Sequence, residues 1–212
     1  MTRLMKTILL PLILAVAYFG ASAKSGDTVD KLVDQVLDRT GELFRGANAR
    51  SGSSAVPGGQ VIDVAFSPDG GSEELVVRAI SSARSSIAVA AYSFTSPVVA
   101  KALLTAKKRG VDVRVVVDEN GNRSKASLAA LNLIATAGIP TRTISRYAIH
   151  HDKYTVIDKT TVQTGSFNYS KAAAKSNSEN VVVIWNNPDV ALTYQKHWQD
   201  RFDQGKPYKA PF

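Results

Sequence analysis

The spacing of apolar positions changes three times along the chain, and each change marks a different kind of segment. Arg3 and Lys6 precede an apolar run from Ile8 to Phe19, which ends at Gly20 and the small residues Ala21-Ser22-Ala23. A charged start, a short apolar stretch and a small-residue site make up a secretory signal peptide, expected here over residues 1–23 with cleavage after Ala23. The run falls short of the ~20 residues that a bilayer span needs, and Pro11 interrupts it, so no stable membrane span is expected after cleavage. From Thr28 to Phe44 the residues Val29, Leu32, Val33, Val36, Leu37, Leu43 and Phe44 recur at helical spacing, predicting one amphipathic helix. Arg45–Gln60 then collects Gly, Ser, Ala and a Pro with almost no large apolar residue, which is linker composition. Helix and linker together occupy 24–56, and the globular domain is expected over 57–212.

Beyond that boundary, short β-branched runs alternate with helical segments. Val61–Phe66, Ser86–Tyr92 and Val111–Val117 read as strands; Ser72–Arg84, Pro97–Arg109 and Ser124–Ala137 read as helices. After Ile139–Thr143 the strands come closer together, as Lys153–Ile157, Thr161–Thr164 and Asn180–Trp185, and a helix from Asp189 to Phe202 closes the domain. Near-continuous apolar strands such as Val113-Arg114-Val115-Val116-Val117 imply a sheet covered on both faces. The expected class is α/β, an α-β-α sandwich with a mixed central sheet flanked by helices and no internal repeat.

Composition narrows the chemistry. The chain has no cysteine, which excludes disulfide staples, a lipid-modified N-terminal cysteine and thiolate zinc sites. Its only imidazoles are His150, His151 and His197. A net charge of +8 and a pI near 9.7 permit a polyanionic partner without specifying one.

The segment that carries chemistry is His151-Asp152-Lys153-Tyr154-Thr155-Val156-Ile157-Asp158, followed after six residues by Gly165-Ser166-Phe167-Asn168. Alternate side chains on a strand share a face, so His151 and Lys153 point together, one a potential nucleophile and the other a positive charge. A phosphodiester spreads negative charge over its oxygens in the transition state, and an ammonium with hydroxyl and amide donors stabilises it. Ser166 and Asn168 supply such donors, and Gly165 lets backbone come close. The same two side chains suit the cap of a helix beginning near Tyr169. Asp158 lies an odd number of residues from His151, hence on the opposite strand face, and reads as structural. His150, adjacent to His151, reads as facing away.

This spacing is similar to the signature of the phospholipase D superfamily, H-x-K-x4-D-x6-G-S with an Asn shortly after. Its five fixed positions would arise by chance in about one chain in ten thousand of this size. Ala91-Tyr92-Ser93-Phe94-Thr95, Ala106-Lys107-Lys108-Arg109-Gly110-Val111 and Asn177-Ser178-Glu179-Asn180 resemble the small bacterial nucleases of that superfamily, which are periplasmic and carry one such HKD motif per chain. The resemblance implies a phospholipase D-like fold, a catalytic set of His151, Lys153, Ser166, Asn168 and Glu179, and a structural role for Asp158 and Gly165. Glu179 would orient the His151 ring. With one motif per chain, a two-fold homodimer would bring two copies of His151 and Lys153 into one site.

No cofactor and no metal are expected, since no His/Asp/Glu cluster has metal-ligand spacing. Nucleic acid is the expected substrate, with phospholipid head groups as the alternative, and the destination is periplasmic or secreted. A third reading, a binding module with a dead site, predicts a damaged motif, and every signature position is intact. Arg123, Lys125, Arg142, Arg146, Lys171 and Lys175 flank the motif and are candidates for phosphate contacts. Lys107, Lys108 and Arg109 close a helix, where they are favoured without any ligand.

Overall fold

The computed structural model describes residues 52–56 and 60–211. The expected signal peptide and the amphipathic helix at 28–44 lie outside the described residues. Among the described residues nine strands form one sheet: β1 (Gly52–Val56), β2 (Gln60–Ser67), β3 (Ser86–Ala91), β4 (Asp112–Asp118), β5 (Thr141–Ile144), β6 (Lys153–Ile157), β7 (Thr161–Gly165), β8 (Glu179–Trp185) and β9 (Lys206–Pro207). Their spatial order is β1-β2-β8-β7-β6-β3-β4-β5-β9. Only β3–β4 and β4–β5 run parallel; every other pairing is antiparallel. The helices are α1 (Ser72–Ser82), α2 (Pro97–Lys108), α3 (Lys125–Thr136), the short α4 (Lys171–Lys175) and α5 (Pro188–Gln204). The parallel pairs are connected through α2 and α3, as parallel strands require a crossover.

Helix starts follow from local side chains. Ser96, Ser124, Ser170 and Asn187 each accept a backbone N–H from three residues on, and Pro97 and Pro188 sit in the first helical turn, where a missing N–H costs nothing.

Alternation along the central strands sorts the core into two layers. Ile87, Val89, Ala91, Val113, Val115, Val117 and Ile157 face Leu75, Ile80, Leu103, Leu131 and Ile134 of α1–α3. Ala88, Ala90, Val116, Tyr154, Val156 and Val162 face Trp198 and Phe202 of α5. Trp198 also donates its indole N–H to Val89 O at 2.9 Å, fixing α5 across β3. Each fully buried side chain of this size contributes about 1.5–3 kcal/mol of transfer free energy, so both layers have a strong drive to form. Farther along the α5 side, β2 and β8 present Ile62, Val64, Val182 and Ile184 only half-buried, with Phe66 60% exposed.

The linker expectation needs one correction. Gly52–Val56 is not linker but an edge strand, in antiparallel register with β2 from Gly52 opposite Val64 to Val56 opposite Gln60. An edge strand is held by its backbone pairing, so Gly, Ser and Ala suffice without the large apolar residues that mark interior strands. Among the described residues no helix is long and apolar enough to cross a membrane.

Candidate active site

Strand directions bring five segments to one end of the sheet. Lys153 opens β6 and lies opposite Ala91, the last residue of β3; β4 runs parallel to β3, so Asp118 ends at the same edge. β7 returns antiparallel to β6 and finishes there at Gly165, and β8 leaves from there at Glu179. His151 and Asp152 precede β6 at this edge.

The Gly165-Ser166 turn is tied tightly to the start of β8. Ser166 donates its hydroxyl to Glu179 Oε2 at 2.6 Å and accepts from Asn180 N at 3.0 Å and Asn180 Nδ2 at 3.2 Å. Asn177 Nδ2 donates to the other Glu179 oxygen at 2.9 Å. Gly165 has φ 145°, and a Cβ there would lie 2.2 Å from Asn180 O, so only glycine fits. Asn168 is half-buried, and its Oδ1 is buried without a partner among the described residues. Beneath it, the Tyr169 hydroxyl donates to Gln163 Oε1 at 2.7 Å and lies 2.8 Å from Thr155 Oγ1, joining β6, β7 and the turn.

Lys153 is 8% exposed; its ammonium donates to His151 O at 3.0 Å. Burial pushes the Lys153 ammonium below the usual lysine range, while the Glu179 and Asp152 carboxylates pull it back up. His151 itself is exposed, with its ring 4.7 Å from that of Tyr92. Glu179 is thus bonded to Ser166 and Asn177 and adds negative potential at Lys153.

His150 turns into the protein: it is 3% exposed, with Nδ1 3.2 Å from Asp152 Oδ2, and burial pushes its pKa down against the pull of Asp152 and Asp118. His197 lies on α5 and shares a hydrogen bond of 2.7 Å with the Tyr154 hydroxyl.

Asp158 lies past the far end of β6, about 20 Å along the strand from His151. Its carboxylate accepts the backbone N–H groups of Arg84, Ser85 and Ser86 and the Ser85 hydroxyl, at 2.7–2.9 Å. Burial raises its pKa, but these four donors together outweigh burial and hold it below the usual aspartate value. A carboxyl with a depressed folded-state pKa stabilises the fold above its unfolded pKa, near 3.9, and loses that contribution as pH falls through the folded value. Asp158→Asn should lower stability at neutral pH by about 1–2 kcal/mol, roughly 3–6 °C in Tm, with activity at 25 °C unchanged. Thermal scans at pH 7 and near pH 3 check this: the gap between the two proteins should narrow in acid, and a pH-independent gap contradicts it.

The candidate phosphate contacts divide. Arg123, Lys125, Arg146, Lys171 and Lys175 are exposed, and Arg123 has its own acid in Glu119 at 3.5 Å. Arg142 does not face the cluster: it stacks 4.4 Å from the Phe202 ring centroid and donates to Phe202 O at 2.8 Å, closing the C-terminal end of α5. The sequence reading also gave no role to Asp118, Gly121, Asn122 and Tyr92. The prior signal of the first three is a Gly/Asn-rich turn after a parallel strand, the usual place for ligand-directed loops in α/β sheets, and that of Tyr92 is its place in the family-like segment Ala91–Thr95.

An imidazole, a buried ammonium, a hydroxyl and a carboxamide at one strand-end edge can bind a phosphodiester and attack it. Residues 76–204 match the family of cardiolipin synthase PLD-like domains. The chain belongs to the phospholipase D superfamily and is a hydrolase acting on phosphodiester bonds. Among solved structures it is similar to Nuc, a phospholipase D family member from Salmonella typhimurium, with 54% identity and a TM-score of 0.70 over 71% of this chain and 99% of that one. NucT from Helicobacter pylori, 22% identical with a TM-score of 0.59 over 69% of this chain and 99% of that one, shares the fold. Among curated relatives, a phospholipase D from Rickettsia conorii is 34% identical over 140 residues, 66% of this chain and 68% of its own. The mitochondrial cardiolipin hydrolase of Mus musculus is 31% identical over 134 residues, 62% of this chain and 59% of its own.

Proposed function

We propose that this protein is an exported, metal-independent endonuclease that hydrolyses DNA, and RNA as well, with little sequence preference. The reading is carried by the His151, Lys153, Ser166, Asn168 and Glu179 set at one sheet edge in a chain 54% identical to nearly the whole of Nuc. The net charge, +8 for the full chain and +6 once Arg3 and Lys6 leave with residues 1–23, suits a reader of the phosphate backbone.

One His151 attacks phosphorus, the bond to the leaving oxygen breaks, and a second His151, from another copy of the chain, gives that oxygen a proton. The second imidazole, now neutral, takes a proton from water as the water oxygen bonds to phosphorus; the P–N bond breaks, the phosphate monoester leaves and both rings return to their starting states. Two Lys153 ammonium groups offset the charge on the non-bridging oxygens, assisted by Ser166 and Asn168, and Glu179 orients a His151 ring in the closed site. A homodimer fits the exposed position of His151 and the half-buried apolar face of β2 and β8. Export rests on the N-terminal charge and apolar pattern.

A lipid reading has its own support. The Rickettsia and mouse relatives are named for phospholipid chemistry, and Ile149, two residues before His151, is 54% exposed. Purified protein incubated in excess EDTA with plasmid DNA, and separately with cardiolipin and phosphatidylcholine vesicles, separates the readings. DNA should be cut at an undiminished rate, because among the described residues no three His, Asp or Glu are placed to hold a metal. Cleavage of vesicles alone rejects the nuclease, and DNA cleavage restored only by added divalent ion rejects the metal-independent mechanism.

A further inference from the structure

Tyr92 was absorbed by neither the motif nor the mechanism, yet it touches both central groups. It follows the last residue of β3, whose Ala91 pairs with Lys153, so it stands level with the segment that leads into β6. Its ring centroid is 4.7 Å from that of His151, tilted by 57°, and 5.3 Å from Lys153 Nζ. The first is a normal aromatic pairing distance and the second lies within cation–π range.

The ring is also held from behind by a turn in which the Asp118 and Asn122 side chains are fully engaged. Asn122, 3% exposed, donates through Nδ2 to Tyr92 O and to Asp118 O, both at 2.7 Å, and accepts from Phe94 N at 2.9 Å. A Cβ at Gly121 would lie 2.9 Å from Tyr92 Cε2 and 3.0 Å from Tyr92 O, so the tyrosine packs on bare backbone. The buried Asp118 carboxylate accepts Gly121 N at 2.6 Å through one oxygen and His150 N at 2.8 Å through the other. One carboxylate therefore fixes both the turn behind Tyr92 and the peptide that leads into His151.

Resting on the reading of His151 as nucleophile and Lys153 as phosphate-binding cation, we propose that Tyr92 is a positioning residue of this phosphodiesterase. Its ring is a shared wall that aligns the His151 imidazole and holds the Lys153 ammonium, and the Asp118–Asn122 turn fixes that wall. The hydroxyl is not required; the aromatic face is. Lys153 is otherwise faced by the Glu179 carboxylate from β8 and by Asp152 beside it, so the ring adds to a favourable field in a site where burial opposes the charge.

The test compares wild type, Tyr92→Phe, Tyr92→Leu and His151→Ala on bis(p-nitrophenyl) phosphate, a small phosphodiester that needs neither a nucleic-acid groove nor a lipid surface. Tyr92→Phe should stay within about 2-fold of wild type in kcat, because the ring is kept. Tyr92→Leu should lose about 10- to 100-fold in kcat, as misplaced reacting groups do, with KM changed far less. p-Nitrophenolate leaves without needing a proton, so with this substrate the basic limb of the kcat/KM profile reports the Lys153 ammonium; removing the ring withdraws support from that cation, and the limb should move to lower pH by about half to one unit in Tyr92→Leu and stay in place in Tyr92→Phe. A merely structural residue would lower the folded fraction without moving that limb. Should Tyr92→Leu not fold, Tyr92→Met fills the same space with a flexible, ringless chain and replaces it. Leu or Met variants that match Tyr92→Phe in kcat and in the basic limb overturn the inference, while an active His151→Ala overturns the nucleophile assignment instead.

Discussion

Refolding wild-type chains with an equal amount of His151→Ala chains should leave about a quarter of the activity of the same total amount of wild-type protein. Each chain supplies one His151 and one Lys153, whereas hydrolysis of an ordinary phosphodiester needs both a nucleophile and an acid for a poor leaving oxygen. If two copies close one site, a mixed dimer lacks one of the two, and only dimers of two intact chains turn over. Random pairing makes these about a quarter of the total, and activity across a mixing series follows the square of the wild-type fraction. A chain with a complete site of its own predicts about half instead, falling linearly. The series requires that subunits exchange, which differently tagged chains can show by co-purification. A straight line with exchange established rejects the shared site and points to a second acid within one chain.

Gly165→Ala should be the most damaging single methyl in the domain. The residue sits at φ 145°, a region that side chains rarely adopt, and the added carbon would lie 2.2 Å from Asn180 O and 3.0 Å from Asn180 C. Neither obstacle is a flexible side-chain tip, so the backbones of β7 and β8 must separate. That separation falls where Ser166 meets Asn180 N and Glu179 Oε2. We expect a loss of about 2–4 kcal/mol, or roughly 5–15 °C in Tm, and at least about 100-fold in phosphodiesterase activity even where the variant is fully folded. Thermal unfolding and steady-state rates at 20 °C measure the two effects separately. Near-wild-type values for both would mean that the turn relaxes at no cost and does not set the geometry of Ser166.

The sequence made the fold legible wherever burial is two-sided or a cap is local. Val113–Val117 is apolar except at the exposed Arg114 because both faces are covered along most of its length, and Ser96-Pro97, Ser124 and Asn187-Pro188 mark helix starts by chemistry that needs no tertiary context. Strand alternation groups His151 with Lys153 in the sequence, yet His151 precedes β6, and Asp158, expected on the opposite strand face, lies in the turn beyond the far end of β6. What escaped depends on contacts between distant segments. β1 is a strand only because β2 offers an open edge. Arg142 looked available for phosphate because nothing nearby in sequence reveals that Phe202, sixty residues on, claims it. Asn122 and Tyr92 meet across thirty residues through a backbone carbonyl, an interaction with no compositional trace.

The insertion of β8 between β2 and β7 has a consequence for how the protein reaches its working form. Val61 lies opposite Trp185 and Ser67 opposite Glu179, so β2 waits for most of the chain before its inner edge is filled. Closing so long a loop gains nothing until β8 arrives, and folds dominated by such distant pairings form on the millisecond-to-second scale rather than in microseconds. A chain still emerging from the ribosome, or one halted before residue 179, can carry His151 and Lys153 without the carboxylate and Ser166 anchor that β8 supplies. If Glu179 and Ser166 act as proposed, competence for cleavage arrives late, with the last inner strand.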